Sequence, residues 1–171
     1  INVDGKKLAV VGNSVGGNMS IATSLKAKES KKPEIKVQIL LWPVTDATFE
    51  WDSYKLYGEQ RFLTTPLMKW MFDQYTTDEK ARKEIYLSPL QASIDQLKGL
   101  PPTLITVAEN DILRDQAEAL GRKLDEAGVA VTTLRFNGVI HDWGMLNGFA
   151  KLPETRSLIY IAATTLKRHL Q

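Results

Sequence analysis

Cysteine is absent from this 171-residue chain, and histidine is nearly so, with two copies. The first absence excludes disulfides, a thiolate nucleophile and cysteine-ligated metal. It suits a reducing compartment, and a cytoplasmic location is expected. The scarcity of histidine leaves any metal site short of ligands, because His141 and His169 stand far apart with no cluster of donors around either. No metal and no cofactor is expected. No apolar run approaches the roughly 18 residues a membrane span needs, and no basic n-region with an apolar stretch behind it opens the chain. An excess of one charge is also lacking. Lys and Arg number 22 against 20 Asp and Glu, interspersed, for a net charge of +2. That argues against the basic face that nucleic acid or an anionic membrane would require. The densest basic run, "KAKESKK" at 26–32, falls where a helix should end and reads as a solvated C-terminal turn. An initiating methionine is missing too, and "INVDGKK" reads as the interior of a longer protein.

With 43% hydrophobic residues the chain can bury one ordinary core. "KLAVVG" at 7–12, "IKVQILLWP" at 35–43, "PTLITVAEND" at 102–111 and "VAVTTLRF" at 129–136 are short apolar or β-branched runs bounded by Gly, Pro or polar residues, and predict strands. Helical spacing fills 16–28, 112–127 (Gly128 as its stop) and 154–170. Strands alternating with helices predict an α/β fold with a mostly parallel sheet and flanking helices. The alternation breaks between Val44 and Leu100. There, "TPLMKWMFDQY" (65–75) predicts a helix with Pro66 in its first turn and Leu67, Trp70, Met71 and Tyr75 on one face. Residues 44–100 are read as a helical cap insert, and 1–43 with 101–171 as the core.

The chemistry-bearing stretch is "LAVVGNSVGGNMS" at 8–20, where a strand runs into a glycine-flanked serine and then a helix. A serine hydroxyl needs a base to take its proton and donors for the oxyanion formed in acyl transfer. A tight strand-to-helix turn lifts Ser14 clear of the sheet, and Gly12 and Gly16 are expected to avoid collisions there, the logic of a G-x-S-x-G elbow. Alone, such a motif is weak, since a glycine-rich turn can merely pack a helix on a strand. No G-x-x-x-x-G-K-[ST] or post-strand G-x-G-x-x-G supports a phosphate cradle. Of the two possible bases, His169 in "KRHL" is explained by a helix C-terminus, whereas His141 in "FNGVIHDWGM" follows the last strand. Asp111 ends the strand before it and is the expected orienting carboxylate. Asp115 is expected to cap or pair with a neighbour such as Arg114, and Asp142 to fall short of the ring nitrogen of its sequence neighbour. The order Ser14, Asp111, His141 is that of α/β-hydrolases.

These segments together resemble the C-terminal portion of an α/β-hydrolase of the hormone-sensitive lipase family, the bacterial acetyl esterase and carboxylesterase type. "GNSVGGNM" resembles the G-D-S-A-G-G-N elbow, "LLWPVTD" the Y-P-x-x-D stretch, "GLPPTLITVAENDILRDQAEAL" the L-P-P…D-x-L-R-D segment, and "GVIHDW" the G-x-x-H-x-F loop. The resemblance implies Ser14 as nucleophile, His141 as general base and acid, Asp111 as its orienter, and the Val15 N–H as an oxyanion donor. Asn13 and Val15 depart from the pattern beside the nucleophile, and Asp142-Trp143 stands where Gly-Phe is common. The family's H-G-G-G loop, source of further oxyanion donors, precedes the elbow and has no counterpart in this chain. The first half of the fold is therefore expected as a partner, from preceding residues or another chain.

The expected activity is hydrolysis of short-chain carboxylic esters through an acyl-enzyme. The alternatives are a non-catalytic small-molecule receptor on the same fold, as in plant gibberellin receptors, or a thioesterase or peptidase with the same triad. Trp42, Trp51, Phe62, Leu63, Trp70, Phe72 and Trp143 are candidates to line the substrate pocket, each otherwise plain core. Asp46 is either an Asx turn or a substrate contact. The resemblance also implies a possible homodimer through the last strand and closing helix.

Overall fold

The computed structural model describes residues 4–171, so the first three residues of the expected core lie outside the described residues. Strands β1 (Leu8–Asn13), β2 (Ile35–Leu41), β3 (Thr103–Asn110) and β4 (Val131–Ile140) form one sheet in chain order, every neighbouring pair parallel. Parallel neighbours require crossovers. Helix α1 (Val15–Ser30) connects β1 to β2, and α5 (Arg114–Glu126) connects β3 to β4. Between β2 and β3 lie α2 (Asp52–Tyr57), α3 (Thr65–Tyr75), α4 (Ile94–Leu97) and two short 3₁₀ turns, and α6 (Pro153–Leu170) closes the fold. The expected α/β class with a parallel sheet and flanking helices is what the chain adopts.

Alternation along the central strands builds a core on each face of the sheet. Leu40, Ile105 and Val107 pack with Ile21 and Leu25 of α1 and with Leu120 and Leu124 of α5. Ile39, Leu41, Leu104 and Ala108 pack instead with Leu158 of α6 and the indoles of Trp42 and Trp143. Each such side chain contributes roughly 1.5–3 kcal/mol by leaving water. β2 is apolar on the face of Ile35, Val37, Ile39 and Leu41, while the other face carries Lys36, Leu40 and a fully buried Gln38 whose Nε2 donates to Thr103 Oγ1 at 2.8 Å. β1 lies at the sheet edge, its residues only partly covered and Val11 half exposed.

A third cluster joins the insert to the sheet: Val44, Tyr54, Leu63, Met68 and Phe72 pack on Ile112 and Leu113. Helix α3 therefore buries Met68 and Phe72, one turn apart. Leu67, Trp70, Met71 and Tyr75, the face expected from the spacing, are exposed. The helix carries two apolar stripes, and the one that faces Tyr54 and Leu63 is the one that packs. β4 also outruns its predicted end at Phe136. Beyond Ala108 the β3–β4 register shifts, Gly138 takes φ 75°, its N–H donates to Glu109 Oε2 at 2.7 Å, and pairing resumes at Asn110–Ile140. That bulge carries the strand up to His141. The basic run is not wholly solvated, since Lys28 Nζ donates to the carbonyls of Asp95 and Gln96 at 3.2 and 2.8 Å. No helix among the described residues is long and apolar enough to cross a membrane.

Candidate active site

Between the last residue of β1 and the first of α1 stands Ser14, with φ 52° and ψ −120°. A non-glycine residue pays roughly 1–3 kcal/mol for such a conformation, so surrounding contacts must impose it. They do. The Ser14 N–H donates to the Leu41 carbonyl at 2.9 Å, and the Ser14 carbonyl accepts from Gly17, Asn18 and Val44 at 3.0, 3.2 and 3.2 Å. Asn18 Nδ2 adds bonds to the carbonyls of Val44 and Leu87 at 3.0 and 2.8 Å, fastening α1 to the insert. A Cβ on Gly12 would overlap the Gly16 carbonyl, and one on Gly17 would meet Pro43 Cβ at 2.7 Å. Gly16 corrects the expectation: a Cβ there would have its nearest neighbour at 3.9 Å, so the close approach falls on Gly12 and Gly17. Val15 opens α1, and its N–H is among the helix donors without an intrahelical acceptor.

Asp111 follows β3 and His141 follows β4, so both side chains emerge at the same sheet end as Ser14. His141 Nε2 lies 3.1 Å from Ser14 Oγ, and His141 Nδ1 lies 2.7 Å from Asp111 Oδ2. The other Asp111 oxygen accepts the Leu113 N–H at 2.9 Å, which fixes the carboxylate in an Asx turn. With Asp111 as its acceptor, Nδ1 carries the proton and Nε2 is left to receive one from Ser14. Asp111 and His141 are 1% and 3% exposed, which strengthens the pairing. Burial pulls the His141 pKa down, but the Asp111 charge and hydrogen bond, with a smaller contribution from Asp142, outweigh it and set the net value above that of an ordinary histidine.

The remaining expected residues divide. His169 lies in the last turn of α6 beside Lys167 and Arg168, far from the other candidate residues in sequence. Asp115 accepts from Arg114 Nε at 2.7 Å and from the Ser53 N–H at 2.8 Å, capping α2. Asp46 is 2% exposed and accepts from Thr48 Oγ1, Trp51 Nε1 and Gln91 Nε2 at 2.6, 2.8 and 2.9 Å. It ties the insert together and offers nothing to a substrate. Trp42 and Trp143 are fully buried, their rings 4.3 Å apart in the core beneath α6. Both were expected to line a pocket; both are core, because α6 covers that face of the sheet. Leu63 and Phe72 are buried likewise, whereas Phe62 and Trp70 are 55% and 58% exposed. Asp142 stops short of a hydrogen bond to the ring, as expected, but its φ of 61° turns the carboxylate back until Oδ1 lies 3.9 Å from His141 Nε2, a proximity the spacing does not announce.

A family profile described as the alpha/beta hydrolase fold matches residues 1–145. The chain belongs to this family. The resemblance to its hormone-sensitive lipase type agrees with the relatives of this α/β-hydrolase. A crystal structure of a thermostable esterase from Pseudomonas putida superposes with a TM-score of 0.97 and 58% identity, covering 99% of this chain and 53% of that one. A fungal esterase from Rhizomucor miehei gives a TM-score of 0.92 and 45% identity over 99% of this chain and 52% of its own. An ethyl acetate hydrolase of Pseudomonas putida is 34% identical over 173 residues, covering 99% of this chain and 52% of the relative. The α/β-hydrolase chain thus spans about half the length of the curated relatives it matches.

Proposed function

We propose that this chain carries the nucleophile, base and orienting acid of a serine esterase that cleaves short-chain carboxylic esters. The observation behind this reading is the continuous line from Ser14 Oγ through His141 to Asp111, with steps of 3.1 and 2.7 Å. Ser14 Oγ attacks the ester carbonyl while His141 Nε2 takes its proton, and the Asp111 charge stabilises the imidazolium. The Val15 N–H donates to the tetrahedral oxyanion. On collapse the imidazolium protonates the departing alkoxide, and a water activated by the same imidazole releases the acyl group from Ser14. The short-chain preference draws on the ethyl acetate hydrolase relative.

Residues 44–100 serve in this reading as a helical cap insert on a core of 1–43 and 101–171. Phe62 and Trp70, exposed on the insert, are the remaining aromatic candidates for the substrate pocket. The partly uncovered apolar edge strand β1, with Val11, Val15 and Met19 exposed beside it, is the docking edge for the first half of the fold, which supplies the other oxyanion donors. Ile159 and Tyr160, exposed on α6, mark the contact for a homodimer. The absence of cysteine supports a cytoplasmic site of action.

Steady-state turnover of p-nitrophenyl esters of increasing acyl length, beside matched thioesters and anilides, tests the reading in the full-length polypeptide. The expected result is highest kcat/KM for acetate or butyrate esters, lost by at least three orders of magnitude in S14A. Faster thioester or amide cleavage overturns the ester assignment. A protein that turns over none of them and resists fluorophosphonate at Ser14 is a binding protein on this fold.

A further inference from the structure

Asp142 is the charged group nearest the proposed relay that the reaction does not use. Its Oδ1 accepts from Trp42 Nε1 at 2.6 Å and from Asn13 Nδ2 at 3.1 Å, and lies 3.9 Å from His141 Nε2. One oxygen thus joins its own segment to two others. Asn13 is the last residue before the nucleophile, Trp42 follows β2 and stacks edge-on to the His141 ring at 6.5 Å, and Asp142 itself follows the histidine. Trp42 and Asp142 both hold positive φ, 37° and 61°, conformations a side chain resists unless its contacts impose them. The bond between their side chains is such a contact. Asn13, one departure from the elbow pattern, and Asp142, one departure from the histidine-loop pattern, are therefore partners. With an acid at 142, position 13 must be a donor, because two carboxylates at that separation cannot both ionise.

We propose that Asp142 is a positioning residue of this site: it clamps the nucleophile turn and the indole beside the imidazole to the histidine loop, and holds a negative charge on the Nε2 side of His141. The inference rests on the serine hydrolase reading, under which the Ser14–His141 distance is the quantity that matters. An elbow and a histidine loop carried on strands three positions apart, β1 and β4, have no direct ladder between them, and the Asn13–Asp142 bond bridges that gap. When Nε2 takes the serine proton, the imidazolium lies between two anions, Asp111 on Nδ1 and Asp142 on the other side. Those are the charged groups that face the ring.

The test is a double-mutant cycle in the full-length polypeptide with N13D, D142N and N13D/D142N, each nearly isosteric, with thermal melting to verify folding. Expected outcomes are a drop in kcat of tenfold or more for N13D with KM within threefold, and recovery of at least threefold in N13D/D142N. That recovery is one a merely structural defect would not give. A smaller loss in N13D, or no such recovery, overturns the clamp. D142N retains an acceptor oxygen and loses only charge. The NMR titration midpoint of His141, assigned with H141Q, should fall by about half a unit to one unit in it. A midpoint moved by less than 0.2 overturns the electrostatic role. If the unaltered protein hydrolyses no ester and takes no fluorophosphonate label, the hydrolase reading falls, and the titration still decides whether Asp142 acts on His141.

Discussion

The His141 imidazole is the residue on which pH control of the proposed reaction rests. It must be neutral to accept the Ser14 proton, and despite burial, Asp111 holds its pKa above the ordinary histidine range. The acid limb of kcat/KM should accordingly have its midpoint above the unperturbed value of about 6.5. D111N should move that limb down and lower kcat by about 10³- to 10⁴-fold, measured as a pH–rate profile. The same raised pKa means that the protonated pair adds stability below the unfolded-state value, lost as pH rises through the folded one. The glycines give a second residue-level outcome. G12A drives a Cβ into the Gly16 carbonyl and should abolish soluble folded protein, whereas G16A meets open space and should melt within a few degrees of the parent. Ser14, Asp111 and His141 could be picked out from the sequence because a strand end with a glycine turn, an acid or an imidazole is a local pattern. Asp142 could not, because its reach to Asn13 and Trp42 depends on a left-handed backbone that no spacing rule announces.

At the scale of elements, strands and helices were legible wherever hydrophobic period and stop signals agreed, as in β2 and α5. They were not legible where tertiary contacts chose between equals. Helix α3 has two apolar stripes, and only packing against Tyr54 and Leu63 selects Met68 and Phe72. β4 passes its apparent end because a Glu109–Gly138 bond supports a bulge that residue spacing does not reveal. The insert owes its form to a polar knot as much as to its core. D46A would leave the donors of Thr48, Trp51 and Gln91 without their shared acceptor and should cost about 3 kcal/mol in urea unfolding, with little change in m. M71E on the exposed stripe of α3 should stay within about 0.5 kcal/mol of the parent.

Taken whole, the molecule is a parallel sheet whose three relay residues stand at one end while apolar surface remains on β1 and α6. Residues 1–171 expressed alone should self-associate through the β1 edge, and V11K should reduce that association in light scattering. The relatives are about twice the length of this chain. The central claim is that Ser14 is acylated through His141. Intact-mass analysis of the full-length polypeptide quenched during turnover of p-nitrophenyl acetate reads this directly. A single acetyl adduct that peptide mapping assigns to Ser14 is expected, absent from S14A and formed at least 1000-fold more slowly in H141A. An adduct elsewhere, or ester hydrolysis undiminished in S14A, would contradict it.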